Sequence, residues 1–395
     1  MNNFRLHIPT AIVFGPGVFE NLGVETAAIG RKALLVTGRT SARKLGLTER
    51  AVRLLEKAGI EAVLYEEIEP NPHHDTCDAG AELARRDGCD AIVALGGGST
   101  MDAAKAIAAA ASTGRSCWDF TIGSHPRADI TAALPIVAVP TTAATGSEAD
   151  HGAVITNWDT KEKCPLFSPL VIPRVAICDP ELHLSIPPDV TADGCVDILS
   201  HYLESYLAGE DDCGVQDRVA EGLMNVVFEW GPVAFRDGSD LRARRELQYA
   251  STLALTGLPN AGRGGTFPMH AIEHSLSGHY DIAHGRGLAI IIPRMMRFIA
   301  DAVPQRLALL GRSCMGVDAQ DDRRAADLAI EAFVRWLDGI GENLKLGDAG
   351  IDDEKFEAMA EDVLRNYSDG SLFPYVVPLD KAAIVEILQS CRKPN

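Results

Sequence analysis

Residues 90–111, DAIVALGGGSTMDAAKAIAAAA, decide the fold. An apolar run follows one acid, the pattern of a strand buried on both faces. Gly96-Gly97-Gly98-Ser99 then interrupts the chain, and an alanine-rich, helix-forming segment continues to about Ala111. A strand that passes through glycines straight into a helix is the building unit of a parallel α/β sheet. Ser99 and Asp102 have the S-x-x-D spacing of a capping box, so Ser99 is expected to cap the helix and Asp102 to reach back. The glycines let backbone N–H groups approach a phosphate, and a helix N-terminus favours negative charge. A tight strand-to-helix turn with no ligand accounts for the same residues.

The flanking chain repeats the alternation. Residues 4–14 read as a strand or hairpin that ends in Gly15-Pro16-Gly17. This is no G-x-G-x-x-G fingerprint, because Glu20 holds the last place. Strands are expected at 32–37, 61–65 and 134–139, and helices at 47–58 and 76–86. Ile68-Glu69-Pro70-Asn71-Pro72 forms a rigid loop. The strand at 134–139 enters PTTAATGSE, 140–148, whose hydroxyls at Thr141, Thr142, Thr145 and Ser147 can hold ribose, pyrophosphate or a nicotinamide amide, or simply make ST-turns. Open α/β sheets bind ligands at the carboxyl ends of their strands, where these loops lie. Near Ser185-Ile186-Pro187-Pro188 the pattern turns helical, with segments at 191–208, 214–236, 240–257, 268–277, 287–300, 303–314, 322–339, 353–366 and 379–391. The expected fold class is α/β plus all-α: a Rossmann-like, parallel-sheet dinucleotide domain over 1–187, then an all-helical metal and substrate domain over 188–395.

The helical half holds a histidine-rich stretch at 269–287, MHAIEHSLSGHYDIAHGRG, with four of the chain's eleven histidines: His270, His274, His279 and His284. Upstream, DILSHYLESY places Asp197 and His201 four apart, on one helix face. His270 and His274 form a second such pair. On one straight helix His270 and His284 would stand about 21 Å apart, too far for ligands each roughly 2 Å from a shared metal. If both bind, the chain folds back between them, with Gly278 and Tyr280-Asp281 as the break. One carboxylate and three imidazoles suit Fe(II) or Zn(II). Either pair alone is more simply a helix-surface contact; His274 and His279 can be outer partners or merely packed, and Glu204 can orient a ligand or be solvated.

Composition narrows the class. At 395 residues two domains are expected, and 46% apolar content supplies large cores. A formal net charge of −18 argues against nucleic acid or an anionic membrane surface as partner. The N-terminal MNNFRLHIPTAIVF lacks a signal peptide's pattern, and no apolar run is long enough for a membrane span. Nine cysteines without a C-x-x-C read as reduced thiols in a cytoplasmic protein. Nucleophile-elbow and Walker motifs are absent from the sequence.

Together these residues resemble the iron-containing (group III) alcohol dehydrogenases, closest to the branch of butanol dehydrogenases and NADPH-dependent aldehyde reductases. The likeness runs end to end, from FRLHIPTAIVFGPG through GGGSTMDAAK and PTTAATGSE to the histidine stretch. It implies Asp197, His201, His270 and His284 as metal ligands, and His274 as the additional histidine near substrate and nicotinamide. For the cofactor it implies Asn71, Gly97, Gly98, Ser99, Asp102, Thr141, Thr142 and Lys163. It also implies reversible hydride transfer on a small alcohol or aldehyde, and a homodimer or larger homo-oligomer through an extended N-terminal strand. Two departures matter. Where NAD-preferring members often end the first cofactor strand with Asp, this chain has Gly38, followed by Arg39, Ser41 and Arg43, which favours NADP(H) over NAD(H) unless the arginines are plain surface charges. After Glu148 stand Ala149-Asp150-His151, a pair that can shape a pocket for polar aldehydes or, at His151, do nothing. A lyase of dehydroquinate-synthase type is the competing enzyme, but its phosphorylated, acidic substrate needs cations, and only Arg263 and Arg286 are near in sequence. A binding protein without turnover is the other alternative.

Overall fold

The computed structural model describes residues 2–123, 125–208 and 213–395. The chain divides into two compact units, Ile8–Ser185 and Ile186–Asn395, and the N-terminal residues up to His7 group with the second.

In the first unit the order is β1 (Ala11–Phe14), α1 (Leu22–Ala27), β2 (Lys32–Gly38), α2 (Ser41–Lys44), α3 (Leu47–Lys57), β3 (Glu61–Ile68), α4 (His74–Asp87), β4 (Ala91–Gly96), α5 (Gly98–Thr113), β5 (Ile136–Pro140), β6 (Gly152–Asn157), β7 (Glu162–Phe167) and β8 (Val175–Cys178). Six strands form one sheet in the order β1-β8-β5-β4-β2-β3, and every pairing in it is parallel. Alternation along the strands feeds two cores. Leu34, Val36, Ile92, Ala94, Ile136 and Ala138 point to the face covered by α4 and α5. Ala33, Leu35, Val93, Leu95, Val137 and Val139 point to the face shared with Leu22, Ala51 and Leu55 of α1 and α3. This is why the strands read as continuous apolar runs. The strand order reverses between β2 and β4, the switch point at which such sheets bind ligands.

Four sequence expectations change here. The strand or hairpin over 4–14 shrinks to β1, because Pro9 has no N–H for a ladder and residues 2–9 form no regular structure. The antiparallel pair β6–β7 was not anticipated. Its turn contains no glycine; Lys161 takes the left-handed conformation at φ 61° instead. Short β8 was missed as well. The capping box does not form. The residue before α5 is Gly97, no side chain caps it, and the helix starts before Ser99. Asp102 instead accepts hydrogen bonds from Ser147 Oγ (2.6 Å) and Val154 N–H (2.9 Å), fastening α5 to the loop after β5 and to β6.

The second unit is helical: α6 (Pro188–Ala208), α7 (Gly214–Arg236), α8 (Leu241–Ala254), α9 (Pro268–Tyr280), α10 (His284–Ile299), α11 (Pro304–Cys314), α12 (Asp322–Gly339), α13 (Phe356–Tyr367) and α14 (Lys381–Ser390). Proline opens α6, α9 and α11, where a missing N–H costs nothing. Helices α6, α9 and α10 are buried along most of their length, and they carry the histidines. No described helix is long and apolar enough to cross a membrane, and all nine cysteines are free thiols.

Candidate functional site

Helix α6 presents Asp197 and His201 from one buried face. Helix α9 presents His270 and ends at Tyr280; Asp281 then turns left-handed at φ 53° and donates its N–H to Ser277 O (2.8 Å). Three residues later α10 begins at His284. The fold-back between His270 and His284 therefore lies at Asp281, while Gly278 stays inside the helix. Gly285 is needed at the return. A Cβ there would stand 2.1 Å from the carbonyl oxygen of Asp193, so only glycine lets α10 lie this close to α6.

The result is a convergence on one carboxylate oxygen. The Nε2 atoms of His201, His270 and His284 stand 3.6, 3.9 and 3.6 Å from Asp197 Oδ1. Each ring is held from behind or by its neighbours. His270 Nδ1 donates to Glu204 Oε1 (3.1 Å), which also accepts the backbone N–H of His270 (2.8 Å). His284 Nδ1 is bound by Glu273, which in turn holds Ser277 Oγ. The rings of His201 and His270 stack at 4.8 Å. Asp197 Oδ1 and His270 Nε2 are buried without a hydrogen-bond partner. Buried polar atoms rarely go unmet, and one carboxylate with three imidazoles is a donor set for a divalent cation of the Fe(II) or Zn(II) kind. The residues fit such an ion, and Glu204 and Glu273 stand where outer carboxylates would orient ligating imidazoles.

Burial sets the charge states. It pushes the His201 imidazole down to about 3, against the pull of Asp197, so the ring is neutral with a lone pair to give. Burial also raises Glu204, although its bonds to His270 oppose this. The sequence left Glu204 open between ligand orienter and solvated acid; the structure buries it completely against His270. Glu273 was missed, although HAIEH places an acid between the two histidines. His274 lies beside the cluster, its ring 5.5 Å from that of His284, and Tyr367 OH is 2.6 Å from its Nδ1. His279 is elsewhere, bonded to Asp362 Oδ2 at 2.7 Å.

In the first unit Gly38, Gly97, Gly98, Thr141 and Thr142 stand at or just past the carboxyl ends of β2, β4 and β5, whereas Asn71 follows β3 and Lys163 lies on β7. Thr141 N–H donates to Gly96 O (2.9 Å). A Cβ on Gly97 would stand 2.8 Å from Thr142 Oγ1, and one on Gly98 2.4 Å from Thr145 Cγ2. The glycines thus let the loop after β5 close over the start of α5, whose first N–H groups carry the positive end of the helix dipole. That cradle fits the pyrophosphate of a dinucleotide. Lys163 on β7 donates to Asn71 Oδ1 (2.9 Å), and Asn71 is left-handed at φ 49°. Gly38 ends β2, within reach of Thr100 on α5. Asp102 is present but turned inward, its carboxyl pushed up to about 6 by burial. Ser99 lies in the first turn of α5.

Other expectations resolve differently. Asp150 forms a buried ion pair with Lys105, whose Nζ also donates to Gly152 O (2.7 Å), so its carboxylate fastens the loop. His151 is exposed, its ring against Phe167. Arg39 pairs with Glu69 (2.7 Å) and Arg43 with Glu66. Arg263 is buried on Asp217, and Arg286 pairs with Asp193 (3.2 Å). The two cations that a phosphorylated substrate would need are already engaged.

Comparison with known proteins agrees with this arrangement. Residues 9–180 match the family described as iron-containing alcohol dehydrogenase, and residues 191–391 match its C-terminal part. A probable NADH-dependent butanol dehydrogenase of Bacillus subtilis is 35% identical over 99% of this chain and 100% of its own length. The NADPH-dependent aldehyde reductase YqhD of Escherichia coli is 32% identical over 91% of this chain and 92% of its own length. The crystal structure of NADH-dependent butanol dehydrogenase A from Thermotoga maritima superposes with a TM-score of 0.94 at 36% identity, covering 100% of this chain and 99% of that one. A parallel sheet unit, a helical unit in which three imidazoles converge on Asp197, and matches to both family regions lead to one conclusion: this chain belongs to the iron-containing alcohol dehydrogenase family.

Proposed function

We propose that this chain is a metal-dependent oxidoreductase that moves a hydride reversibly between NAD(P)H and a small alcohol/aldehyde pair, with Asp197, His201, His270 and His284 holding one Fe(II) or Zn(II). The observation that carries this reading is the convergence of three imidazole Nε2 atoms on Asp197 Oδ1. When bound, the nicotinamide supplies or accepts the hydride, and the cation supplies Lewis acidity toward the substrate oxygen. The chain's own residues do the rest. Glu204 and Glu273 fix the planes of His270 and His284. Gly97, Gly98 and the N-terminus of α5 receive the pyrophosphate, and Thr141, Thr142, Asn71 and Lys163 place the ribose and nicotinamide, with Ser99 beside them. Asp102 holds the loop that carries Thr145 and Ser147. His274 orders a proton at the substrate oxygen.

The preferred cofactor in this reading is NADP(H). Gly38 puts no carboxylate at the end of β2. The partners of Arg39 and Arg43 do not remove these cations from use: their side chains are 57% and 54% exposed, and exposed ion pairs are worth little. A 2′-phosphate can displace them. A homo-oligomer also fits, since β1 forms an outer edge of the sheet.

The test is nicotinamide absorbance with butanal, NADPH and NADH side by side, on stripped enzyme reloaded with Fe(II) or Zn(II). Metal-dependent loss is expected, faster with NADPH. His270→Ala should lose metal and turnover together while remaining soluble; full turnover in a metal-free His270→Ala protein would sink the reading. Turnover faster with NADH would overturn the role given to Gly38.

A further inference from the structure

Tyr367 is the last residue of α13, a helix whose periodicity gives no hint of chemistry. Its hydroxyl lies 2.6 Å from His274 Nδ1, with the rings 5.9 Å apart. Helix α13 is fastened to α9 at two further points: Ser275 Oγ donates to Met359 O (3.1 Å), and His279 Nε2 bonds Asp362 (2.7 Å). The position of the Tyr367 hydroxyl is therefore set by a helix pair rather than by a loose side chain. His274 itself is 5% exposed and sits within 6 Å, ring to ring, of both His270 and His284.

We infer that Tyr367 is a positioning residue for hydride transfer, because its hydroxyl fixes the ring plane and tautomer of His274. The inference rests on the oxidoreductase reading above. A neutral imidazole has one N–H and one lone pair, and the bond made by one nitrogen decides which the other presents. A phenol, with a pKa near 10, is a far stronger acid than a neutral imidazole N–H. The favoured sense is thus Tyr367 O–H donating to Nδ1. The ring proton then resides on Nε2, and this N–H is what His274 offers to a substrate oxygen. Without the hydroxyl, Nδ1 loses this donor and the Nε2–H tautomer is favoured less, so the N–H is offered in a smaller share of molecules. The cost falls on turnover. Cofactor binding is untouched, since the residues assigned to it all lie between Gly38 and Lys163.

Tyr367→Phe removes one oxygen and keeps the ring. In full-length, metal-loaded enzyme we expect it to lower kcat about tenfold, with KM for the nicotinamide and the bound metal unchanged. Added to His274→Ala, it should change kcat by less than about twofold, because both act through one ring. Histidine 15N NMR of the Zn(II)-loaded protein gives a readout independent of activity. His274 should be Nε2-protonated in the parent and shift toward mixed tautomers in Tyr367→Phe. Parent-like kcat in Tyr367→Phe, an undiminished further loss in the His274→Ala background, or an unchanged 15N signature would each overturn the inference. A parent enzyme that turns over no carbonyl would instead defeat the oxidoreductase reading, and the NMR comparison would still decide the tautomer.

Discussion

At the scale of the residue, the chain concentrates unpaired charge where an ion would relieve it. Asp197 is 3% exposed, and its Oδ1 accepts no hydrogen bond although three imidazoles surround it. An unrelieved buried carboxylate costs several kcal/mol, and a bound cation would supply the relief. Glu342 poses a related problem beside Asp193 and Arg286. It is 3% exposed, its Oε2 has no partner, and its neighbours are Asp193, Asp189 and Arg286. Burial first, then the two aspartates, push its carboxyl from 4.5 up to about 8. The folded state therefore binds a proton that the unfolded state has already lost between those two values. The stability this group contributes is complete below about 4.5 and is lost as pH rises through about 8. Thermal scans from about pH 5 to about pH 9 should show the parent Tm falling relative to Glu342→Gln, which stays neutral throughout. Parallel curves would mean that Glu342 is ionised and compensated in the folded protein.

At the scale of the element, the site depends on how closely α10 approaches α6. Gly285→Ala places a methyl 2.1 Å from the Asp193 carbonyl, and backbone cannot yield as a side chain does. The helix start must shift, carrying His284 with it, at a cost of about 2 kcal/mol or more. Reduced metal content and a lower Tm are expected together; a fully loaded Gly285→Ala protein with parental Tm would show that α10 can move without disturbing the ligand. The same elements explain what the sequence disclosed. Helices α6 to α14 were readable because each is long enough for a 3.6-residue period to show, and β2, β4 and β5 because strands buried on both faces are continuous apolar runs. The Asp197/His201 pair was visible for the same reason, since helical spacing fixes which side chains share a face. Strand β8 has four residues and the β6–β7 turn has no glycine, so neither carried a local signal. The S-x-x-D motif misled because tertiary partners, Ser147 and Val154, outbid the helix end for Asp102. Tyr367 lies ninety-three residues from His274, a distance over which no local pattern operates.

At the scale of the whole molecule, the chemistry is divided by unit. The residues proposed for the cofactor lie within Ile8–Ser185 and the proposed metal ligands within Ile186–Asn395. An ion held by Asp197, His201, His270 and His284 would tie together α6, α9 and α10, and with them the core of the helical unit. The ligand atoms converge only in the folded chain, so the ion binds the native state in preference to the unfolded one, and its binding free energy becomes folding free energy. At a free concentration one hundredfold above Kd, the gain is about 2.7 kcal/mol. Chelation of the full-length protein should therefore lower the melting transition, and Fe(II) or Zn(II) should restore it in a concentration-dependent way. Asp197→Ala removes the only carboxylate among the four proposed ligands, and with it most of the attraction for a cation. That variant should melt at a temperature indifferent to chelator and metal. NADPH should still raise the temperature at which it melts, because the glycine cradle at the start of α5 is untouched. A metal-dependent Tm that survives Asp197→Ala would place the ion somewhere other than this cluster. A Tm insensitive to metal in the parent would leave the buried Oδ1 of Asp197 without the partner that explains it.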